Sequence, residues 1–457
     1  MSKQNNLTDF LTDVANAIRA KKGSTDLINP QNFSAEIAAL SGGLEVIEMT
    51  ETTATIEPNK VYVWGMVESL DITLGTSTGE NDFFAFRFRC SKPTMTSVTV
   101  NGATWADDTE LDAQGKPILD LGSYYQCEIK GGTSALYARL MHYIPFEDAN
   151  VEAVLLANGV GDGLGVTYKD AAKVTDIITW FRGNSDITSF LELIYFRGIN
   201  KIKSNAFNGC TALTQIALPA LLTELGISAF NGCILLTNVV LPESLTTISN
   251  ITFNGCTALE EISLPASLTT ILDGVFKGCS SLKRVYGFEN TQVTSIKNET
   301  FNNCSSLAEI ALPASLTSIG NYAFGGCSAL AKADLASTQV TSIGKGAFYR
   351  CTSLAEIVFP ATLTSIEQSA FNGCNSLAEI ALPASITSIG NYVFQYCTKL
   401  KTMTVNANTP PTLGSVAIPS TIGAIYVPDE SVAAYQAATN WSSFASKIKG
   451  ISEMPAK

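Results

Sequence analysis

Apolar and polar positions follow a fixed order along the second half of the chain. The phrase A-F-x-G-C-x-x-L-x-x-I-x-L-P-x-x-L-T-x-I recurs there and is clearest from Ala370 to Ile389. Its copies are 23 to 25 residues apart. A constant period in this range predicts a solenoid, in which each turn buries its apolar edge against the next turn.

Nine cysteines mark the copies of this phrase at one position. They are Cys210, Cys233, Cys256, Cys279, Cys304, Cys327, Cys351, Cys374 and Cys397. Cysteine is a small, half-apolar residue that suits a tight interior turn. Zinc sites need close ligand pairs such as C-x-x-C, and none occurs. We therefore predict an inward column of packed thiols and no metal site.

The remaining pattern divides the chain into further regions. Apolar positions at helical spacing predict short helices in residues 1–41, for attachment or oligomerisation. Alternating runs such as Phe84 to Arg89 predict an antiparallel β-sandwich-like domain in residues 44–145. We interpret 146–180 as a linker, 181–405 as the leucine-rich-repeat solenoid, and 406–457 as a C-terminal strand-helix cap. The predicted fold class is α+β multidomain.

Composition argues against two classes of partner, nucleic acids and membranes. The 457 residues carry a net charge of −12, and only 15% are charged. Without a basic stripe the chain is a poor partner for nucleic acid. No run of 18 apolar residues occurs, so we predict that no segment of the chain inserts into a membrane. No signal peptide is readable at the polar N-terminus, so synthesis in a host cytoplasm is expected.

Catalytic signals are scarce, and we predict no enzyme, no catalytic residues and no cofactor. The single histidine, His142, lies in a strand-like run and is interpreted as a strand residue. Binding is better supported. Outward positions of stacked strands form columns, and tyrosine combines a flat apolar ring with a hydroxyl group. The candidate ligand-binding residues are Arg284, Tyr286, Glu309, Tyr322, Tyr349, Glu356, Glu379 and Tyr392.

Two resemblances extend this interpretation. The repeated phrase, with Phe324-Gly325-Gly326-Cys327 and Leu312-Pro313, resembles the BspA-like leucine-rich repeat family over about 181–457. That resemblance implies a right-handed solenoid used for adhesion. The segment Asp13 to Gly23 and the run Ala54 to Tyr62 resemble phage tail or fibre proteins over about 1–140.

Together these observations favour a non-catalytic phage tail-fibre or receptor-binding protein in the virion tail. Its expected partners are other tail or baseplate proteins and a host cell-surface protein or glycan. A homo-oligomer is expected, with a trimer as one option. Two alternatives stay open: a bacterial BspA-like adhesin or interaction protein, and a glycan-degrading tail enzyme.

Overall fold

The computed structural model describes residues 45–51, 53–57, 60–67, 70–74, 83–90, 98–101, 103–105, 124–131, 136–161 and 165–455. The chain divides into two compact units, Met1–Val174 and Thr175–Lys457. The helices predicted in residues 1–41 lie outside the described residues.

The first unit contains two sheets. Its strands are β1 Glu45–Met49, β2 Thr53–Ile56, β3 Lys60–Val67, β4 Leu70–Leu74, β5 Phe83–Cys90, β6 Val98–Asn101, β7 Thr104–Trp105, β8 Tyr124–Gly131 and β9 Leu136–Tyr143. One sheet has the order β1-β3-β5-β8-β9-β7, and the other has the order β2-β4-β6. Trp64, Phe84, Phe86 and Phe88 of the first sheet share one buried cluster with Ile56, Leu70 and Ile72 of the second.

The predicted antiparallel arrangement is wrong for most of this unit. β1, β3 and β5 pair in parallel, and so do β2, β4 and β6. Only β5–β8 and β8–β9 pair antiparallel among the described strands. The chain visits the two sheets alternately from β1 to β6, so each return to a sheet runs in the same direction. Period-two alternation is the same for either direction, which is why the sequence did not distinguish them.

Residues 146–180, interpreted as a linker, contain two helices, α1 (Ala149–Ala157) and α2 (Tyr168–Lys173). Asp148 and Thr167 cap them, because each side chain accepts a bond from a backbone amide of the first turn. His142 lies in β9, as predicted. Its ring stacks on that of Tyr125 at 4.4 Å and lies tilted against that of Tyr168 at 4.1 Å.

The second unit is a leucine-rich-repeat solenoid built from two columns of parallel strands. The first-face strands are β10 Ser189–Phe190, β12 Gln215–Ala217, β14 Asn238–Val240, β16 Glu261–Ser263, β18 Arg284–Tyr286, β21 Lys332–Asp334, β23 Glu356–Val358, β25 Glu379–Leu382, β27 Thr402–Val405, β29 Ala424–Val427 and β30 Ile448–Gly450.

The second-face strands are only two residues long. They are β11 Lys201–Ile202, β13 Glu224–Leu225, β15 Thr247–Ile248, β17 Thr270–Ile271, β19 Ser295–Ile296, β20 Ser318–Ile319, β22 Ser342–Ile343, β24 Ser365–Ile366, β26 Ser388–Ile389 and β28 Thr412–Leu413. In the turns from Phe207 to Cys397 a corner segment with the repeated Phe and Cys positions connects the second face to the first face of the next turn.

Inward columns of identical residues hold the turns together. Phenylalanine rings stack from Phe207 to Phe394 with centroids 5.2 to 5.7 Å apart. Each repeat cysteine donates its thiol hydrogen to the backbone carbonyl of the phenylalanine one turn earlier, for example Cys327 Sγ to Phe301 O at 3.1 Å. The predicted inward column of free thiols is confirmed, because all nine are buried and unbridged.

Phe181 begins this column. Its ring lies 5.4 Å from that of Phe207, and its carbonyl accepts the thiol of Cys210. Asn184 takes the cysteine position of this first turn. Its side-chain oxygen accepts bonds from the amides of Asp186 and Ile187, which closes the turn without a thiol.

Two details of the solenoid differ from what the repeat predicts. Ile310 and Leu312 are two positions apart and predict a short strand with both side chains inward, but residues 308–312 are not a strand. The repeat also predicts Ala333 at the second outward position of β21, but Asp334 takes it, because Ala333 pairs with inward Ile357 and is buried.

The cap begins where the sequence period fails, but the strand ladders continue through it. β28 pairs with β26, β29 with β27, and β30 with β29. The helix expected from Ser431 to Lys449 is short, α3 at Val432–Ala437, and Ile448 lies in β30. 3-10 helices cover Leu191–Tyr195, Phe288–Asn290, Asp429–Ser431, Ser442–Lys447 and Ile451–Glu453. Tyr435 Oη and Trp441 Nε1 fasten the cap by donating to Ala407 O and Pro411 O at 2.7 and 2.8 Å.

Candidate binding surfaces of the solenoid

The outward side chains of the first face form a ladder that we call the charged ladder. It consists of Gln215, Asn238, Glu261, Arg284, Glu309, Lys332, Glu356, Glu379 and Thr402. Alternation along each strand buries the central residue, such as Val285, and exposes the residues on either side. Stacked strands are about 4.8 Å apart, so side chains of neighbouring turns can bond directly.

Arg284 is the centre of one cluster in this ladder. Its Nη1 donates to Tyr286 Oη at 3.4 Å, and Tyr286 Oη donates to Glu261 Oε1 at 3.2 Å. On the other side Arg284 Nε lies 3.7 Å from Glu309 Oε1. The hydrogen bond to Tyr286, followed by the nearby carboxylates, raises the pKa of Arg284 above its ordinary value. The cluster presents a fixed cation, two carboxylates and an exposed tyrosine ring.

Lys332 and Glu356 form a second group. Lys332 Nζ lies 2.8 Å from Glu356 Oε1, and this hydrogen bond raises the pKa of Lys332. Glu379 follows on the next strand and is exposed opposite Thr402. Exposed ion pairs of this kind contribute little to stability. Their value to the protein is a patterned polar surface.

The corner segments carry the remaining candidates. Each corner has one residue with positive φ two positions before the phenylalanine, and a second directly before the cysteine. Tyr322 (φ 53°) and Tyr392 (φ 60°) occupy the first type of position. Arg350 (φ 56°) and Tyr396 (φ 62°) occupy the second, where most other turns have glycine. We call Tyr322, Tyr349, Arg350, Tyr392 and Tyr396 the corner patch.

Tyr322 and Tyr349 meet because of a glycine. The two rings are 6.3 Å apart in an edge-to-face arrangement, and the Arg350 guanidinium lies 5.3 Å from the centre of the Tyr349 ring. The Tyr322 ring occupies the space where a Cβ of Gly346 would project, one turn further on. Gly346 also has φ of 60°, which disfavours any other residue.

The eight candidate residues therefore belong to two separate surfaces, the first face and the corners. Arg284, Tyr286 and Glu309 come together, and Glu356 joins Lys332. Tyr322 and Tyr349 come together, whereas Tyr392 lies three turns after Tyr322 in its column. Sequence reasoning did not select Glu261, Arg350 or Gly346. The break in the G-C phrase at Tyr349-Arg350-Cys351 is a signal that could have found Arg350.

The second face is uncharged over most of its length. Its outward residues from Thr247 to Thr412 are all threonine or serine. The threonines preceding these strands donate to backbone carbonyls of the preceding turn, for example Thr317 Oγ1 to Thr294 O at 2.9 Å. These hydroxyl groups are therefore used to join turns, which makes the first face and the corners better placed for recognition.

The interior offers no reactive thiol. Burial raises the pKa of Cys279, Cys327 and Cys397 to about 12, so these thiols stay protonated at neutral pH. In the part of the chain that the structure describes, no group of His, Cys, Asp or Glu could hold a metal ion. No helix there is long and apolar enough to cross a membrane.

Comparison with known families supports the repeat resemblance. Residues 184–293 and 288–401 match the BspA type leucine rich repeat region, in six copies. The repeats of the solenoid are therefore similar to BspA type leucine-rich repeats. No comparison supports the resemblance of residues 1–140 to phage tail or fibre proteins. Among curated proteins, none matches the chain.

Solved structures with leucine-rich repeats are similar at low identity. A leucine-rich repeat protein from Bacteroides ovatus is 21% identical, covering 60% of this chain and 86% of that one, with a TM-score of 0.32. A leucine rich cell surface protein from Faecalibacterium prausnitzii is 24% identical, covering 60% and 82%, at 0.30. The pneumococcal vaccine antigen PcpA is 19% identical, covering 77% and 100%, at 0.35.

Proposed function

We propose that this protein is a surface-displayed interaction protein that binds a partner macromolecule through its BspA-type solenoid, without chemistry. The observation that carries this proposal is the Arg284 cluster. An arginine, a tyrosine and two carboxylates are held on an exposed strand face by bonds to one another. Tyrosine and arginine are enriched among residues that dominate binding energy.

The position of the cluster supports the same conclusion. It lies beside residues 308–312, where the first face has irregular backbone in place of a strand. Tyr286 is 42% exposed although it is a large ring. Because the ion pairs are open to solvent, we assign them to recognition and partner choice and not to stability.

A binding panel tests this proposal. Full-length protein on beads is presented to immobilised extracellular glycoproteins and to intact bacterial and epithelial cells. We expect saturable binding to at least one surface, reduced about tenfold or more in the variant Arg284→Ala/Tyr286→Ala, as for hot-spot residues. Lys283→Ala is the matched control, since Lys283 is also an exposed cation paired with a glutamate, at 2.7 Å.

Two results would contradict the proposal. One is equal loss of binding in the Lys283 control, which would indicate general electrostatics. The other is release of fragments from the panel surfaces, which would favour the enzymatic alternative.

A position on a phage tail stays a prediction from the order of regions in the sequence. Its N-terminal helices lie outside the described residues, and the adhesin alternative fits the repeat family at least as well. Gold-labelled antibody against the solenoid distinguishes the two, since label on tail tips supports the virion and label on cells without phage genes supports the adhesin.

A further inference from the structure

We propose that the corner patch is a binding hot spot for a protein partner that presents a carboxylate-rich surface segment. This inference rests on the proposed binding function but concerns a different surface of the solenoid. Tyr322, Tyr349 and Arg350 are joined by ring and cation–ring contacts. Arg350 and Tyr396 lie in one column, two turns or about 10 Å apart at the usual strand spacing.

The first argument is backbone strain. The residue before the cysteine has positive φ in every corner from Gly209 to Tyr396, and it is glycine in six of them: Gly209, Gly232, Gly255, Gly278, Gly326 and Gly373. Asn303, Arg350 and Tyr396 are the exceptions. Asparagine tolerates this conformation, but arginine and tyrosine are disfavoured there. Unfavourable backbone conformations concentrate at functional sites, where the function of the side chain offsets the conformational strain.

The second argument is the room that neighbouring glycines give to the large side chains. In its column Arg350 lies between Gly326 and Gly373, as the bonds Gly326 N to Tyr349 O (2.7 Å) and Arg350 N to Asn372 O (2.8 Å) show. A Cβ on Gly346 would overlap the Tyr322 ring, and a Cβ on Gly373 would lie 3.4 Å from Arg350 Cγ. These glycines therefore let Tyr322 and Arg350 lie across the backbone of the next turn.

The third argument is a change of residue type in the column that contains Tyr349. In the first turns this column has linked amides, with Asn231 Nδ2 donating to Asn208 Oδ1 at 3.2 Å and Asn254 Nδ2 to Asn231 Oδ1 at 2.6 Å. After Tyr349, Asn372 Nδ2 donates to Gln395 Oε1 at 3.0 Å. Tyr349 therefore places a half-buried ring in a column where amides occupy most other turns.

The fourth argument is charge. In the corner segments 320–331, 344–355, 367–378 and 390–401 the charged residues are Lys345, Arg350, Glu367, Lys399 and Lys401, and all five are exposed. Four of them are cations, although the whole chain carries −12. Arg284 and Lys332 on the first face are paired with carboxylates. The Arg350 guanidinium has no carboxylate partner within the described residues, so it is available to an acidic ligand.

Composition points to a protein partner. Rigid tyrosine rings with an arginine, set among glycine, serine and asparagine, are typical of surfaces that bind proteins. A tyrosine loses little conformational freedom on binding, and the arginine supplies a paired hydrogen bond to a carboxylate.

Synthetic peptides test this inference with the full-length protein. The probes are a glutamate-rich peptide, the same peptide with glutamine in place of glutamate, and an oligouronate as a non-peptide source of carboxylates. We expect the glutamate peptide to bind about tenfold more tightly than the glutamine peptide, as for one charge-assisted pair. Preference for the oligouronate, or equal binding of both peptides, would overturn the assignment.

The decisive variants are Arg350→Gly and Tyr396→Gly, with Asn303→Gly as the matched control in the same column. We expect both patch variants to lose about tenfold in peptide affinity while the urea midpoint stays equal or rises, because glycine relieves the positive φ. Asn303→Gly keeps full affinity. A lowered midpoint with unchanged affinity would show that these side chains are structural, and would overturn the proposal.

These experiments test the Arg284 cluster and the corner patch independently of each other. Arg284→Ala/Tyr286→Ala leaves peptide binding unchanged if the corner patch is independent. Loss of panel binding in that variant, with peptide binding intact, supports both proposals. Peptide binding without any panel binding would remove the proposed function and leave the corner patch standing.

Discussion

Phe348 and Tyr349 are neighbours in sequence, yet the columns to which they belong differ along the solenoid. Phenylalanine repeats in the first column, with rings stacked at 5.2 Å on either side of Phe348. The second column varies and reads Asn208, Asn231, Asn254, Lys277, Asn302, Gly325, Tyr349, Asn372 and Gln395. A fully buried column must be uniform to close the coil, whereas this partly buried column is freer to vary. Variation on a uniform support is what a recognition surface requires.

The largest expected effect concerns the inward thiols. The pKa of Cys327 rises from 9.0 to about 12 through burial, so below pH 9 both the folded and unfolded thiols are protonated. Above pH 9 only the unfolded thiol ionises, unfolding releases a proton, and the free energy of unfolding falls with pH. Each thiol adds up to about 1.4 kcal/mol per pH unit. The free energy of unfolding, measured in urea under reducing conditions, should be constant from pH 7 to 8.5 and fall steeply towards pH 11. A constant value over the whole pH range would contradict this account.

Phe324→Ala should have the next largest effect. The ring is buried and stacks between Phe301 and Phe348 at 5.3 and 5.2 Å, and its removal leaves a cavity. We expect a loss of about 3–5 kcal/mol in the free energy of unfolding. Tyr322→Ala, two residues away and only half-buried, is the control and should cost less than about 1 kcal/mol by the usual range for surface substitutions. Similar losses for the two would remove the distinction between inward and outward columns.

The substitution Gly346→Ala tests whether the Tyr322 ring depends on the glycine of the next turn. The new Cβ would overlap the Tyr322 ring, and φ of 60° is unfavourable for alanine. We expect a loss of about 1–2 kcal/mol. When Tyr322 is alanine, the new Cβ no longer overlaps a ring. In a double-mutant cycle Gly346→Ala should therefore lower the free energy of unfolding less in the Tyr322→Ala variant than in the wild-type protein. Purely additive effects would show that the Tyr322 ring does not depend on Gly346.

Lys332→Gln should have the smallest effect on stability. The ion pair with Glu356 is exposed, and the unfolding midpoint should not change measurably in urea. Added salt should likewise leave the midpoint of the wild-type protein and of this variant equal. A clear drop in the midpoint would mean that the charged ladder stabilises the fold and is not reserved for recognition.

The parts of this fold that follow from the sequence are those fixed by period. The inward columns were predicted from the spacing of the cysteines and phenylalanines, and the outward column from Gln215 to Thr402 followed from strand alternation. The direction of strands β1 to β6 could not be predicted, because hydrophobic alternation is the same for parallel and antiparallel neighbours. Asp334 was misplaced by one position because Ala333 lacks the large apolar side chain that marks this inward position in the other turns.

The candidate sites were only partly accessible to sequence reasoning. Arg284 and Tyr286 are two positions apart on one strand, so their shared face was predictable. The contact of Tyr322 with Tyr349 was not, because it depends on a ring that lies over the backbone of the next turn. Arg350 was missed because its importance lies in its positive φ and in the glycines beside it, and neither is visible from residue type alone.

The way in which turns are joined has a consequence for how such a gene can change. Each corner amide bonds to the turn directly after it, as in Phe324 N to Ala347 O at 2.7 Å and Phe348 N to Ala370 O at 2.7 Å. Duplication or deletion of one whole copy would therefore leave the joints elsewhere intact, and coil length can drift between lineages. The turns from Tyr322 to Tyr396 are different, since excising any one of them would shift the spacing between its rings and its guanidinium. If natural variants of different length all keep the turns from Tyr322 to Tyr396 intact, this would indicate selection on that segment.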